Sequence, residues 1–144
     1  MIVKRLKDSR EMLDIKQIDL TNLYNVTNST ISGWETGKDT IPLRQLVKYA
    51  NKYNFSLDYL FGIKKTNEIY KPLTLNLVTI GNNLRKLRKS SNKTQQEVAD
   101  IINTSQSAYA HYENALNLIP TSFLYNLSKI YKNISIDEIL GRKK

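Results

Sequence analysis

Polar and apolar residues alternate with a helical period along most of the chain. Ile2, Leu6, Ser9 and Leu13 fall on one face while Lys4, Arg5, Lys7 and Asp8 fall elsewhere, which predicts an amphipathic helix over 2–13. Ile18, Leu20 and Leu23 predict a second helix over about 16–24. A third follows, capped by Thr27, with Ile31 and Trp34 inward and Gly37 at its end. Pro42 opens a fourth helix over 43–53, whose stripe is Leu46, Val47, Ala50 and Tyr53. A short fifth, from Ser56 to Phe61, stops at Gly62. Residues 63–78 hold Pro72 and no clear helical period, so they read as a linker; its LTLNLV end is either extended or the start of the next helix.

The pattern then repeats. Adding 78 to a residue number converts Leu6 to Leu84, Arg10 to Arg88, Gln17 to Gln95, Leu20 to Val98, Asn25 to Asn103, Ser29 to Ser107, Trp34 to Tyr112, Glu35 to Glu113 and Pro42 to Pro120, without a gap. After one inserted residue, Ser56 to Gly62 matches Ser135 to Gly141. Two copies make a duplication, not a solenoid. In the second copy Ile80, Leu84 and Leu87 point inward, with Arg85, Lys86, Arg88 and Lys89 along the rest of the helix. Thr94 and Glu97 have capping-box spacing, Ser105 caps the third helix, and helices over 121–131 and 135–140 complete the copy. Asn25 and Asn103 occupy turns that call for positive φ, which Asn tolerates. The expectation is an all-α chain of two tandem five-helix domains, 1–62 and 79–144, joined by the linker 63–78. Arg142, Lys143 and Lys144 end it as a basic tail.

Composition narrows the function. Each repeat of about 60 residues is near the lower size of an independently folding domain. Lys and Arg number 22 against 13 Asp and Glu, giving +9 and favouring an anionic partner such as nucleic acid. Residues 1–62 carry 9 basic and 7 acidic side chains, and residues 80–144 carry 10 and 5, so the second copy is the more basic. Cysteine is absent and His111 is the one histidine, which excludes a disulfide scaffold, a Cys/His zinc site and a cysteine nucleophile. With no glycine-rich phosphate loop and no triad, no enzyme, cofactor or metal site is expected. The N-terminus lacks the apolar run of a signal peptide and no run of about 18 apolar residues occurs, so the expectation is a soluble cytoplasmic protein without a membrane partner.

Leu87-Arg88, Thr94-Gln95-Gln96-Glu97-Val98-Ala99, Ser105-Gln106-Ser107 and Tyr112-Glu113-Asn114 together resemble the Cro/repressor, or xenobiotic-response-element-like, family of helix-turn-helix proteins. The resemblance runs through both copies. It implies double-stranded DNA as partner, with the third helix of each copy in the major groove. It places Asn28, Ser29, Ser32 and Gly33 of the first copy, and Gln106, Ser107, Ala110 and His111 of the second, on base edges. Gln106 has the best chemistry, since its amide bonds adenine in a bidentate way. The resemblance gives Gln17 and Gln95 to backbone phosphate; Lys16, Lys38, Arg85 and Lys93 are further candidates for it. Arg10 with Glu35, and Arg88 with Glu113, resemble a family ion pair that ties the first helix to the third.

Three departures bear on this. Thr21 stands where the second copy has the small Ala99, Gly33 lies inside the first reading helix, and Ala115 replaces a helix-ending glycine ahead of Leu116-Asn117-Leu118-Ile119. The leading expectation is a sequence-specific transcriptional regulator, a repressor, with both heads reading one duplex from a linker that extends to roughly 50 Å. The alternative keeps the fold but makes one copy or both a protein-interaction module, with a homodimer formed through exposed Leu116 and Leu118.

Overall fold

The computed structural model describes residues 2–144; Met1, at the start of the expected 1–62 domain, lies outside the described residues. Every regular element among them is helical. They form two compact units, one up to Pro72 and one over Leu73–Lys143.

The first unit runs α1 (Leu6–Met12), a 3-10 turn (Gln17–Leu20) leading into α2 (Thr21–Tyr24), α3 (Asn28–Thr36), α4 (Leu43–Tyr53) and α5 (Leu57–Phe61). The expected first helix over 2–13 is shorter because its start is engaged elsewhere. The Arg5 amide donates to the Leu60 carbonyl at 3.0 Å, and its guanidinium donates to the carbonyls of Tyr59 and Lys64. The expected second helix opens as a 3-10 turn for want of a hydroxyl. Lys16 cannot accept from the Asp19 amide, which instead donates to the Lys16 carbonyl at 3.0 Å.

The second unit runs α6 (Leu77–Ser90), α7 (Gln95–Ile102), α8 (Gln106–Glu113), α9 (Thr121–Ile130) and α10 (Ile136–Ile139). Here the capping box is complete: the Thr94 hydroxyl accepts from the Glu97 amide at 3.1 Å, and the Glu97 carboxylate accepts from the Thr94 amide at 3.0 Å. The second helix is accordingly α from its first residue.

Of the two readings left open for the end of the linker, the start of the next helix is the one found, and the tether is shorter than expected. Leu77 and Val78 are helical, because the Asn76 side chain accepts from the amides of Val78 and Thr79 at 3.0 and 3.1 Å. Asn67 is bound to the first unit, accepting from the Ser56 amide at 2.7 Å and donating to the Asn54 carbonyl at 2.9 Å. The tether from Asn67 to Asn76 therefore spans at most about 30 Å, not roughly 50 Å.

The cores differ in kind. Tyr24, Trp34, Tyr49, Phe55 and Phe61 dominate the first, with Tyr24 edge-on to Trp34 at 5.1 Å and Tyr49 stacked on Phe55 at 5.8 Å. Leu84, Val98, Ile102, Leu124, Leu127 and Ile136 make the second mostly aliphatic, beside the buried Tyr109 and Tyr131. Each fully buried side chain of this size contributes about 1.5–3 kcal/mol relative to exposure. The end of each unit is closed by one side chain reaching back to a short helix. Arg5 does this on α5, and Asn83, 78 positions later, donates to the Ile139 carbonyl of α10 at 2.9 Å.

The tail is also revised. Arg142 is buried and bonds Asp137 at 3.0 Å, so only Lys143 and Lys144 of the expected basic tail remain exposed.

Candidate nucleic-acid interface

The geometry starts from the turn before each third helix. Asn25 takes φ 55° and Asn103 φ 67°, left-handed values that reverse the chain in three residues. The Thr27 and Ser105 hydroxyls then accept from the amides of Thr30 and Ala108, each at 3.2 Å. These caps fix which residues lead α3 and α8: Asn28 and Ser29 in one, Gln106 and Ser107 in the other, all exposed. Ile31 and Trp34 on α3, and Tyr109 on α8, are buried on the opposite side.

Behind each helix lies the same carboxylate. Arg10 donates to Glu35 through Nε at 2.8 Å and Nη2 at 2.9 Å, and its Nη1 donates to the Ile15 carbonyl. Arg88 does the same to Glu113 at 2.7 and 3.0 Å, and to the Lys93 carbonyl. Two parallel bonds hold the guanidinium in one plane, which fixes the angle between the first and third helices. Burial pushes the Glu113 carboxyl up, but bonds from Arg88, Tyr109 and Gln95 outweigh it and hold the group below the usual carboxylate range. The Arg88 guanidinium is in turn raised above its ordinary value, chiefly by its bond to Glu113.

In both units the glutamine that opens the second helix joins this pair. Gln17 Nε2 lies 3.0 Å from Glu35, and Gln95 Nε2 lies 3.1 Å from Glu113. In the second unit alone the chain goes further, for Gln106 Nε2 donates to Gln95 Oε1 at 2.7 Å. Gln106 is thus held through Gln95, Glu113 and Arg88, while its own Oε1 and second N–H point away from that bond. Asn28, one methylene shorter and 78 positions earlier, makes no such bond to Gln17 among the described residues.

The remaining sequence candidates are placed unevenly. Ser32 is half-buried, and its carbonyl accepts from the Thr36 hydroxyl at 3.0 Å. Gly33 does not face outward. It is buried, and a Cβ there would lie 3.2 Å from Asp39 Oδ2, because the chain after α3 folds back and the Asp39 amide bonds the Gly33 carbonyl at 3.1 Å. His111, at the equivalent position of α8, is exposed, and Ala110 is half-buried. Lys16 and Lys38 are exposed and Lys93 is half-buried. Arg85 is drawn to the end of α8, with Nε 3.5 Å from Glu113 and Nη2 2.8 Å from Asn114 Oδ1. Of the two leucines after α8, Leu116 is exposed and Leu118 is half-buried.

One positioning residue escaped the sequence reading. A Cβ on Gly81 of α6 would stand 2.4 Å from the Glu113 carbonyl oxygen, so this glycine lets α6 and the end of α8 meet backbone to side. An isolated glycine inside a helical pattern was the signal.

Comparison with known proteins places this geometry. No solved structure gives a significant match. The HTH-type transcriptional regulator ImmR of Bacillus subtilis (strain 168) is 34% identical over 68 residues, covering 45% of this chain. The matched stretch is 54% of ImmR, so the chain spans about half the length of that relative. No helix among the described residues is long and apolar enough to cross a membrane. The helix-turn-helix family model matches twice, over residues 6–60 and 84–139, and each match contains one capped third helix with its buried Arg–Glu pair. The chain therefore belongs to the helix-turn-helix family of Cro/repressor type, and carries its domain in two tandem copies.

Proposed function

We propose that the chain is a sequence-specific double-stranded DNA-binding regulator of transcription, acting as a repressor, and that its second unit is the principal reader. The observation that carries this is the continuous bonding from Gln106 through Gln95 and Glu113 to Arg88. A glutamine amide held at an exposed helix start loses little freedom when it meets a base edge, and Gln pairs with adenine in the major groove. Ser107 and His111 share that exposed face, and Lys93 and Arg85 flank it for phosphate. In the first unit Asn28, Ser29 and Ser32 offer shorter polar groups, with Lys16, Gln17 and Lys38 for phosphate.

A second reading is favoured by one observation. Met12, Leu13 and Ile18 are exposed on the first unit, with Met12 at 66% and Ile18 at 64%. The second unit has Ser90, Ser91 and Gln96 in their places. Under this reading the first unit contacts protein while the second contacts DNA.

Selection of genomic fragments with the purified chain would supply an operator, and titrations on it would separate the readings. Affinity should fall with salt at a log-log slope of about −0.9 per neutralised phosphate. Gln106→Ala should reduce discrimination at one base pair by about 1–3 kcal/mol, with a smaller effect for Asn28→Ala. Absence of binding by the folded chain at low salt would sink the DNA reading. Equal losses from both variants would remove the primacy of the second unit.

A further inference from the structure

Within the second unit a groove of about 550 Å³ opens between α6 and the turn leading into α10. Its apolar lining is Leu87, Ile134 and Ile139, and two side chains of opposite charge, Lys86 and Glu138, stand on it. Both are exposed, and neither joins an ion pair among the described residues. The size falls in the range of small-molecule sites, and an apolar lining with a few polar groups is their usual character.

The duplication supplies an internal template for what belongs there. At the same place in the first unit, the Tyr59 ring stacks on Phe55 with centroids 5.9 Å apart, Arg5 lies 4.5 Å over that ring, and the Tyr59 hydroxyl points to the Met12 sulfur. The second unit has Glu138 for Tyr59, Ile134 for Phe55, Asn83 for Arg5 and Ser90 for Met12. An aromatic ring and its covering cation are thereby removed from the fold while the helices around them stay. The groove opens where that ring would stand, and the two charges now on it suit a molecule carrying both signs.

We propose that this groove binds a zwitterionic aromatic molecule of the α-amino acid class. The ring rests on Leu87, Ile134 and Ile139, the carboxylate meets Lys86, and the ammonium meets Glu138. Opposite charges on the site select against ligands of a single sign, and the apolar lining selects against amino acids without a ring. This site is independent of the DNA-reading proposal, since none of its residues belongs to α7 or α8.

The test is calorimetric titration of the full chain with L-phenylalanine, L-alanine, phenethylamine and 3-phenylpropionate. Saturable binding of L-phenylalanine is expected, with none for L-alanine. Each analogue lacking one charge should bind about tenfold more weakly or worse, the loss expected for one charge-assisted contact. The double variant Ile134→Phe, Glu138→Tyr installs the first unit's ring pair and should abolish binding. Should circular dichroism show that this variant does not fold, Lys86→Ala and Glu138→Ala, both at exposed positions, carry the same test with losses of about tenfold each. No saturable binding, equal binding of L-alanine, tighter binding of a singly charged analogue, or unchanged affinity in both charge variants would each overturn the proposal.

Discussion

The first unit stops its third helix with Gly37 at φ 83°, and the second stops the equivalent helix with Ala115 at φ 62°. Side by side, the two units keep one backbone frame: a left-handed Asn turn, a hydroxyl cap, and an Arg–Glu pair joined by a glutamine. They diverge in what surrounds it. The first has invested its large side chains in an aromatic core and leaves Met12, Leu13 and Ile18 outside. The second has a mostly aliphatic core, a linked pair of glutamines, a further arginine on the buried glutamate, and more positive charge. The frame sets the geometry of the third helix, whereas the surrounding residues decide which side chains each copy presents there.

The comparison can be broken most sharply at the shared ion pair. Arg88→Ala leaves Glu113, whose side chain is 0% exposed, without its main partner and should cost about 3–5 kcal/mol. Trp34, the single tryptophan, reports the first unit by fluorescence, so the loss should appear in circular dichroism and in the His111 proton resonance before it appears at Trp34. The pH dependence follows from the sign of the shift. Because the folded Glu113 carboxyl lies below its ordinary value of 4.5, its contribution is present above that pH and is lost as pH falls through the folded value. The melting-temperature difference between wild type and Glu113→Gln should therefore shrink on acidification from pH 7 toward 3, and a constant difference would refute the linkage.

Gly81→Ala comes next. Alanine is the better helix former by about 1 kcal/mol, yet its Cβ would meet the Glu113 backbone at 2.4 Å. Overpacking should win, at about 1–3 kcal/mol of destabilisation measured by denaturant unfolding. The first unit carries a buried valine, Val3, at this position. A more stable Gly81→Ala protein would mean that α6 and α8 can separate at little cost.

Ala115→Gly should stabilise the second unit by about 1 kcal/mol, because alanine at φ 62° carries the left-handed penalty that Gly37 avoids. A melting point unchanged or lowered would show that the unfolded-chain entropy of glycine cancels the gain.

The smallest effect separates two buried tyrosines of the first unit. Tyr24 Oη has no hydrogen-bond partner, while Tyr49 Oη lies 2.7 Å from the Ser9 hydroxyl. Tyr24→Phe should be neutral within about 0.5 kcal/mol or slightly stabilising, and Tyr49→Phe should cost about 1 kcal/mol. Equal costs in chemical denaturation would contradict that assignment.

How far these features could be read from the sequence depends on their range along the chain. The caps at Thr27, Thr94 and Ser105, the left-handed Asn25 and Asn103, and the helical stripes need only neighbours within a turn or two, so residue type and spacing determine them. The Arg10–Glu35 and Arg88–Glu113 pairs were expected only from the family resemblance, and both are formed. What escaped were contacts between residues distant in sequence: Arg5 and Asn83 closing the short last helices, and Gly81 against the Glu113 carbonyl. Each concerns a residue whose type suits a surface or a loop equally well. Its role comes from a partner brought near by the packing of whole helices, and that packing is a cooperative property no local pattern encodes.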